Sequence, residues 1–284
     1  MDSNEGRLKI IQSESERLKQ YLNTLPPEAW SKPSACDGWE VADVVAHLTF
    51  VAEFCADVIA RGVRGDVSPP RGFPGIDLPE SSTLDAYIAE EALTRRKRLG
   101  EQLLPTFRAR WDQFHQLMAS LSPDDWGTPC WRFRWIGTYP AQQFIVLPLQ
   151  ELVIHGWDLR SRLEPSPSLS AECLPILVER IAQPTFPRLS TLRMSSRQSG
   201  PVRYRFAVTG LGPSTHDIVV EEGKGRIEPA GTVAAEVTFR CDRDTFVLMM
   251  YKRLTLDEAI AAGRLSAEGD SGLISDFDRW SKGA

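Results

Sequence analysis

The chain has 284 residues, 42% of them hydrophobic and 25% charged, with a formal net charge of −5 at pH 7. Such a composition belongs to a globular protein long enough for two cores, and it excludes a disordered or collagen-like chain. The mildly acidic balance offers no clustered Lys and Arg to neutralise phosphates, so no nucleic acid is expected as a partner.

The longest apolar stretch, Phe144 to Ile154, is interrupted by Pro148, Gln150 and Glu151. It falls short of the ~20 apolar residues that span a bilayer, and no membrane partner is expected. The opening MDSNEGRLKI shows neither a basic leader nor an apolar core with a cleavage site, which points to a cytoplasmic protein. Cys36, Cys55, Cys130, Cys173 and Cys241 are odd in number and contain no CxxC spacing, as expected of reduced, partly buried thiols.

From Arg7 to Leu25, apolar residues recur near helical spacing until Pro26-Pro27 stops the run. A Trp-rich turn segment follows, and Val41 to about Ile59 reads as a second helix with His47 at its middle. Arg61 to Ser82, rich in Gly and Pro, reads as a long loop of the kind that is functional or mobile. A long helix is predicted from Leu84 to about Leu121 with a kink at Pro105, and a fourth from about Pro140 to Leu163 bent at Pro148. Four helices of this length, antiparallel by connection, predict a bundle.

At Glu164-Pro165-Ser166-Pro167 the helical pattern breaks, which places a domain boundary there: 1–164 helical, 165–284 mixed. After one more helical stretch, residues 201–210, His216 to Val220, Lys224 to Ile227 and Ala235 to Cys241 alternate as strands do. Short helices are predicted at Asp242 to Tyr251, Leu256 to Ala262 and Gly272 to Trp280. The predicted fold class is therefore α plus α+β, a four-helix bundle followed by a small α+β domain.

Glu151 and His155 stand four apart, so on a helix they share one face. His47 occupies a position between Val44 and Val51 where an apolar side chain would otherwise face the core. Two imidazoles and one carboxylate make a familiar catalytic zinc set with a fourth position open. On spacing alone, a hydrogen-bonded buried pair accounts for the same residues equally well.

The segment Cys36-Asp37-Gly38-Trp39-Glu40-Val41-Ala42-Asp43-Val44-Val45-Ala46-His47-Leu48 resembles the GW-x-V-x-D-hydrophobic-x-A-H-L signature of the mycothiol-dependent maleylpyruvate isomerase family. That family lies within the DinB-like bundle superfamily. Glu151 to Leu159 resembles its second signature, E-x-x-x-H-x-x-D-hydrophobic. The resemblance implies a divalent metal, zinc by its donor set, on His47, Glu151 and His155. It also implies a C-terminal domain similar to sterol carrier protein, whose end Asp242 to Asp270 resembles.

Family members use a low-molecular-weight thiol, so the resemblance implies mycothiol or a related thiol as cofactor or co-substrate. The expected activity is S-transfer or cis-trans isomerisation of a small electrophilic metabolite. Arg253 matches a C-terminal Gly-Arg position assigned a catalytic role in the isomerases, with Lys252 standing in place of the Gly. Arg71 in the long loop is a second cation that no motif fixes. Asp158 reads either as an orienting partner for a ligand histidine or as a partner of Arg160 or Arg162. Cys36 reads as a thiol near the site or as a small buried hydrophobe, and Trp39 and Trp157 as packing around the helix ends. His115 and His216 lack partner spacing and read as structural. Two rival functions fit the same residues: metal-dependent hydrolysis of an amide or ester, and non-enzymatic binding of apolar ligands by the C-terminal domain.

Overall fold

The computed structural model describes residues 3–70, 84–133, 137–183, 186, 200–210 and 212–281. Ser3 caps helix α1 (Asn4–Thr24) by accepting from the Gly6 amide at 3.2 Å. Ile11, Leu18 and Leu22 recur on one face at helical spacing and are buried. The helix ends at Leu25, whose backbone is extended because a residue before proline avoids the helical region.

Helix α2 (Val41–Val63) opens with a capping box in which Glu40 and Asp43 satisfy each other's backbone amides. Sixteen of its residues are buried, as the central helix of the unit requires. It runs four residues past the predicted end. Of the predicted long loop, residues 71–83 lie outside the described residues, Arg71 among them.

Leu84 to Leu121 is not one kinked helix. Helices α3 (Leu84–Leu99) and α4 (Leu103–Ser120) are separated by a 3-10 turn at Gly100–Gln102. The break falls at Gly100, whose φ of +51° a glycine adopts without strain. Pro105 instead occupies the first turn of α4, where no helical partner awaits its missing N–H. Leu103, Phe107, Trp111, Phe114 and Met118 then form the buried stripe of α4.

A short antiparallel hairpin of strands β1 (Pro129–Phe133) and β2 (Gly137–Pro140) precedes α5 (Gln143–Arg160). Pro140 therefore ends a strand and does not start a helix. The hairpin lies against α2 at Gly62, where an added Cβ would stand 2.6 Å from Cys130 Sγ and 2.8 Å from the Pro129 carbonyl. Helices α1, α2, α4 and α5 pack as a four-helix bundle, and α3 lies against α2 and α4 as a fifth.

By contact the chain divides into two units, Met1–Ser168 and Leu169–Ala284. The second unit contains helix α6 (Leu174–Ile181) and a five-stranded mixed sheet in the order β5-β4-β3-β6-β7. Its strands are β3 (Val202–Thr209), β4 (Ser214–Glu221), β5 (Lys224–Pro229), β6 (Val237–Asp242) and β7 (Leu265–Gly269). Only the β3–β6 pair is parallel. Among the described residues it also contains helices α7 (Arg243–Met250), α8 (Leu256–Ala261) and α9 (Ser271–Ser281).

Alternation along β3 buries Val202, Tyr204, Phe206 and Val208, and the rings of Tyr204 and Phe206 meet Phe239, Phe246 and Phe277 in one aromatic core. On the opposite face, Arg203 and Arg205 both clamp the buried Asp217 carboxylate at 2.9 and 2.8 Å. All five cysteines are free, and four of them are buried. Among the described residues no helix is long and apolar enough to cross a membrane.

Candidate metal centre

Helices α2 and α5 pack against one another and bring the three residues together. His47 lies in the second turn of α2 and is 5% exposed; Glu151 and His155 stand one turn apart on α5. The Nε2 atoms of His47 and His155 each lie 3.2 Å from the same Glu151 oxygen, Oε2. The two imidazole centroids are 4.8 Å apart.

These distances suit a cation. Ligand atoms bound tetrahedrally at ~2.0–2.1 Å stand ~3.3–3.4 Å from one another, close to the two separations found. The donor types, two imidazole nitrogens and one carboxylate oxygen, are those of zinc sites that keep a position open. A quarter of the Glu151 side chain is exposed, against 6% for His47, so the cluster reaches solvent through the carboxylate.

Behind His155 stands Asp158. Its carboxylate is wholly buried and accepts the Nδ1–H of His155 at 2.9 Å, which directs Nε2 toward Glu151. Neither Arg160 nor Arg162 takes that carboxylate: Arg160 bonds the Gly156 and Ser168 carbonyls. Cys36 Sγ donates to the same Asp158 Oδ2 at 3.1 Å and lies 3.5 Å from His155 Nδ1. The turn that carries Cys36 is docked by its backbone, with the Ala35 amide on the Asp158 carbonyl at 3.1 Å and the Ser34 amide on the Trp39 carbonyl at 2.9 Å.

Burial drives the ionisation of each group, and its neighbours then oppose or reinforce it. Burial pulls the His47 pKa below the ordinary imidazole value, and the hydrogen bond to the Glu151 carboxylate only partly offsets this. His155 goes the other way: burial would lower it, but Asp158, Cys36 and Glu151 together hold it well above that value. Burial would raise Glu151, yet the bonds from His155 and His47 hold it well below the usual carboxylate range. His47 Nδ1 is buried and makes no hydrogen bond.

Trp39 corrects an expectation. It is half-exposed, and its ring lies 5.4 Å from that of His47 and 6.3 Å from that of His155, so it borders the cluster and is more than packing at a helix end. Trp157, by contrast, donates to the Pro167 carbonyl at 3.0 Å. The GW signature was the available signal for Trp39, and nothing local distinguished its ring from a core aromatic.

Arg253 lies in the second unit, in the turn after α7, where its amide bonds the Leu248 carbonyl at 2.8 Å and its guanidinium the Tyr251 carbonyl at 3.1 Å. The preceding Lys252 has φ +58°, a left-handed conformation that favours glycine. His115 bonds Ser15 Oγ at 2.7 Å, and His216 bonds Ser214 and stacks on Phe246. Neither belongs to a group of metal-type donors among the described residues.

Comparison with known proteins agrees with this architecture. The mycothiol maleylpyruvate isomerase N-terminal domain model matches residues 11–160, and the SCP-2 sterol transfer family model matches residues 195–280. A crystal structure of mycothiol-dependent maleylpyruvate isomerase is 15% identical, with a TM-score of 0.60 over 88% of this chain and 90% of that one. A histidine-to-alanine mutant of mycothiol-dependent maleylpyruvate isomerase is 14% identical, with a TM-score of 0.61 over 94% and 93%. At these identities the likeness speaks for the fold. No curated protein matches the chain. With its bundle matched from residue 11 to residue 160, the chain belongs to the mycothiol maleylpyruvate isomerase N-terminal domain family and carries a second domain of the SCP-2 sterol transfer family.

Proposed function

We propose that His47, Glu151 and His155 hold a divalent cation, zinc by its donor set, and that the chain is an enzyme using a low-molecular-weight thiol. Mycothiol is the thiol that family membership favours, and the reaction is S-transfer or cis-trans isomerisation of a small electrophilic metabolite. The observation that carries this reading is the meeting of two imidazole Nε2 atoms on one Glu151 oxygen, each at 3.2 Å. A cation there would lower the pKa of an incoming thiol so that it reacts as a thiolate near neutral pH.

The chain's own residues do the rest. Asp158 keeps the Nδ1 proton on His155 and so leaves Nε2 free to act as a ligand. Trp39 borders both rings and limits the water that reaches them. Arg253 is the cation this reading assigns to a substrate carboxylate, on the strength of the family's Gly-Arg position. Free cysteines suit a reducing cytoplasm, where small thiols are plentiful.

Protein purified without chelator tests the reading through metal content and turnover. About one divalent ion per chain, lost in Glu151→Gln, is the expected result, together with consumption of an electrophile that depends on added mycothiol. Absence of stoichiometric metal, or hydrolysis that proceeds equally without any thiol, would overturn it.

A further inference from the structure

Behind the His155 ring lies a second group of metal-type donors, made of Cys36, His155 and Asp158. Cys36 Sγ stands 3.1 Å from Asp158 Oδ2 and 3.5 Å from His155 Nδ1, and the last two atoms are 2.9 Å apart. The cluster with His47 and Glu151 is built on the other ring nitrogen, Nε2.

Thiolate, imidazole and carboxylate are all zinc-type ligands. Bound tetrahedrally at ~2.0–2.3 Å they would stand ~3.3–3.6 Å from one another, so the group needs to open by only a few tenths of an ångström. Backbone contacts hold the thiol in place over α5: the Ala35 amide bonds the Asp158 carbonyl at 3.1 Å, and the Cys36 amide bonds Ser34 Oγ at 3.1 Å. Of the five cysteines, Cys36 alone is not buried, so it is the thiol that an ion arriving from solvent meets.

Sulfur is what separates the two clusters. The first offers only nitrogen and oxygen, whereas the second adds a thiolate, which soft cations prefer. We infer that Cys36, Asp158 and His155 Nδ1 form an alternative site for a soft, thiophilic divalent cation. Binding there releases the thiol proton and moves the ring proton from Nδ1 to Nε2, where Glu151 Oε2 at 3.2 Å accepts it. One neutral ring therefore serves one site at a time. The inference does not depend on a metal at His47 and Glu151.

Cadmium(II) titration of the full chain and of its Glu151→Gln variant tests the site, with the ultraviolet thiolate-to-cadmium charge-transfer band as readout. In both proteins the band is expected to appear and to saturate at about one ion per chain, since the Gln carbonyl can still accept the Nε2 proton. Cys36→Ser should lose the band while its circular dichroism matches the parent. Cadmium-113 NMR of the parent needs no variant and should show a sulfur-bound resonance. Absence of the band from either of the first two proteins, its survival in Cys36→Ser, or a resonance from nitrogen and oxygen ligands alone would each overturn the inference.

Discussion

The buried carboxylate of Asp158 accepts the Nδ1 proton of His155 across one turn of α5, at 2.9 Å. An ionised carboxylate can only accept, so it selects the tautomer that carries the proton on Nδ1 and leaves Nε2 available to a cation. An asparagine in its place can present an N–H instead, which favours the opposite tautomer. Asp158→Asn is therefore expected to weaken metal binding by about 10–100-fold while leaving His47 and Glu151 in place. Competition against a chromophoric chelator measures it, and an unchanged affinity would remove Asp158 from the centre.

Gly62 gives the β1–β2 hairpin its seat on α2. An added methyl would stand 2.6 Å from Cys130 Sγ and 2.8 Å from the Pro129 carbonyl, and the second of these is backbone. Alanine improves helix propensity by up to about 1 kcal/mol, but overpacking costs about 1–3 kcal/mol. Gly62→Ala should come out destabilising by about 1–2 kcal/mol in urea denaturation; a stabilised variant would show that the hairpin yields.

At Lys252 the balance runs the other way. A lysine at φ +58° bears a cost that glycine does not. Lys252→Gly should raise stability by about 0.5–1 kcal/mol, read as a shift in denaturation midpoint without a change in slope.

His115 makes the first unit sensitive to acid. Burial pushes its pKa down to about 4, beside Ser15 on α1. The unfolded chain takes up the proton near pH 6.5, the folded protein only near pH 4, so the neutral imidazole stabilises the fold in full above about pH 6.5. That contribution is lost as pH falls from about 6.5 to about 4. After discounting for partial exposure it is on the order of 2 kcal/mol. A His115→Gln variant should lose less stability than the parent between pH 7 and pH 4.5, and parallel losses would refute the assignment.

Much of this was written in local pattern. A four-residue interval on a helix puts Glu151 and His155 on one face, and a histidine between Val44 and Val51 on an inward stripe is buried whatever it binds. Period-two alternation marks β3, β5 and β6, which bury every other residue, whereas β4 buries Asp217 to Val220 in one run. By contrast β7 and the β1–β2 hairpin are short and carry no clean alternation, and only their pairing partners make them strands. The helix break fell at Gly100 and not at Pro105, because a proline in a first turn costs nothing while a glycine that leaves the helical region ends it.

The sequence alone determined which side chains share a helix face, since 3.6 residues per turn is a property of the backbone. Only the tertiary structure decided which remote groups meet. Asp158 had His155, Arg160 and Arg162 within reach along the chain, and Cys36 and Trp39 had no visible partner at all. Packing of the turn at residues 34–39 against the end of α5, through the Ala35 amide on the Asp158 carbonyl, brought thiol, indole, carboxylate and imidazole into one cluster. Contacts between segments more than a hundred residues apart depend on how two helices settle against each other, and no local periodicity encodes that.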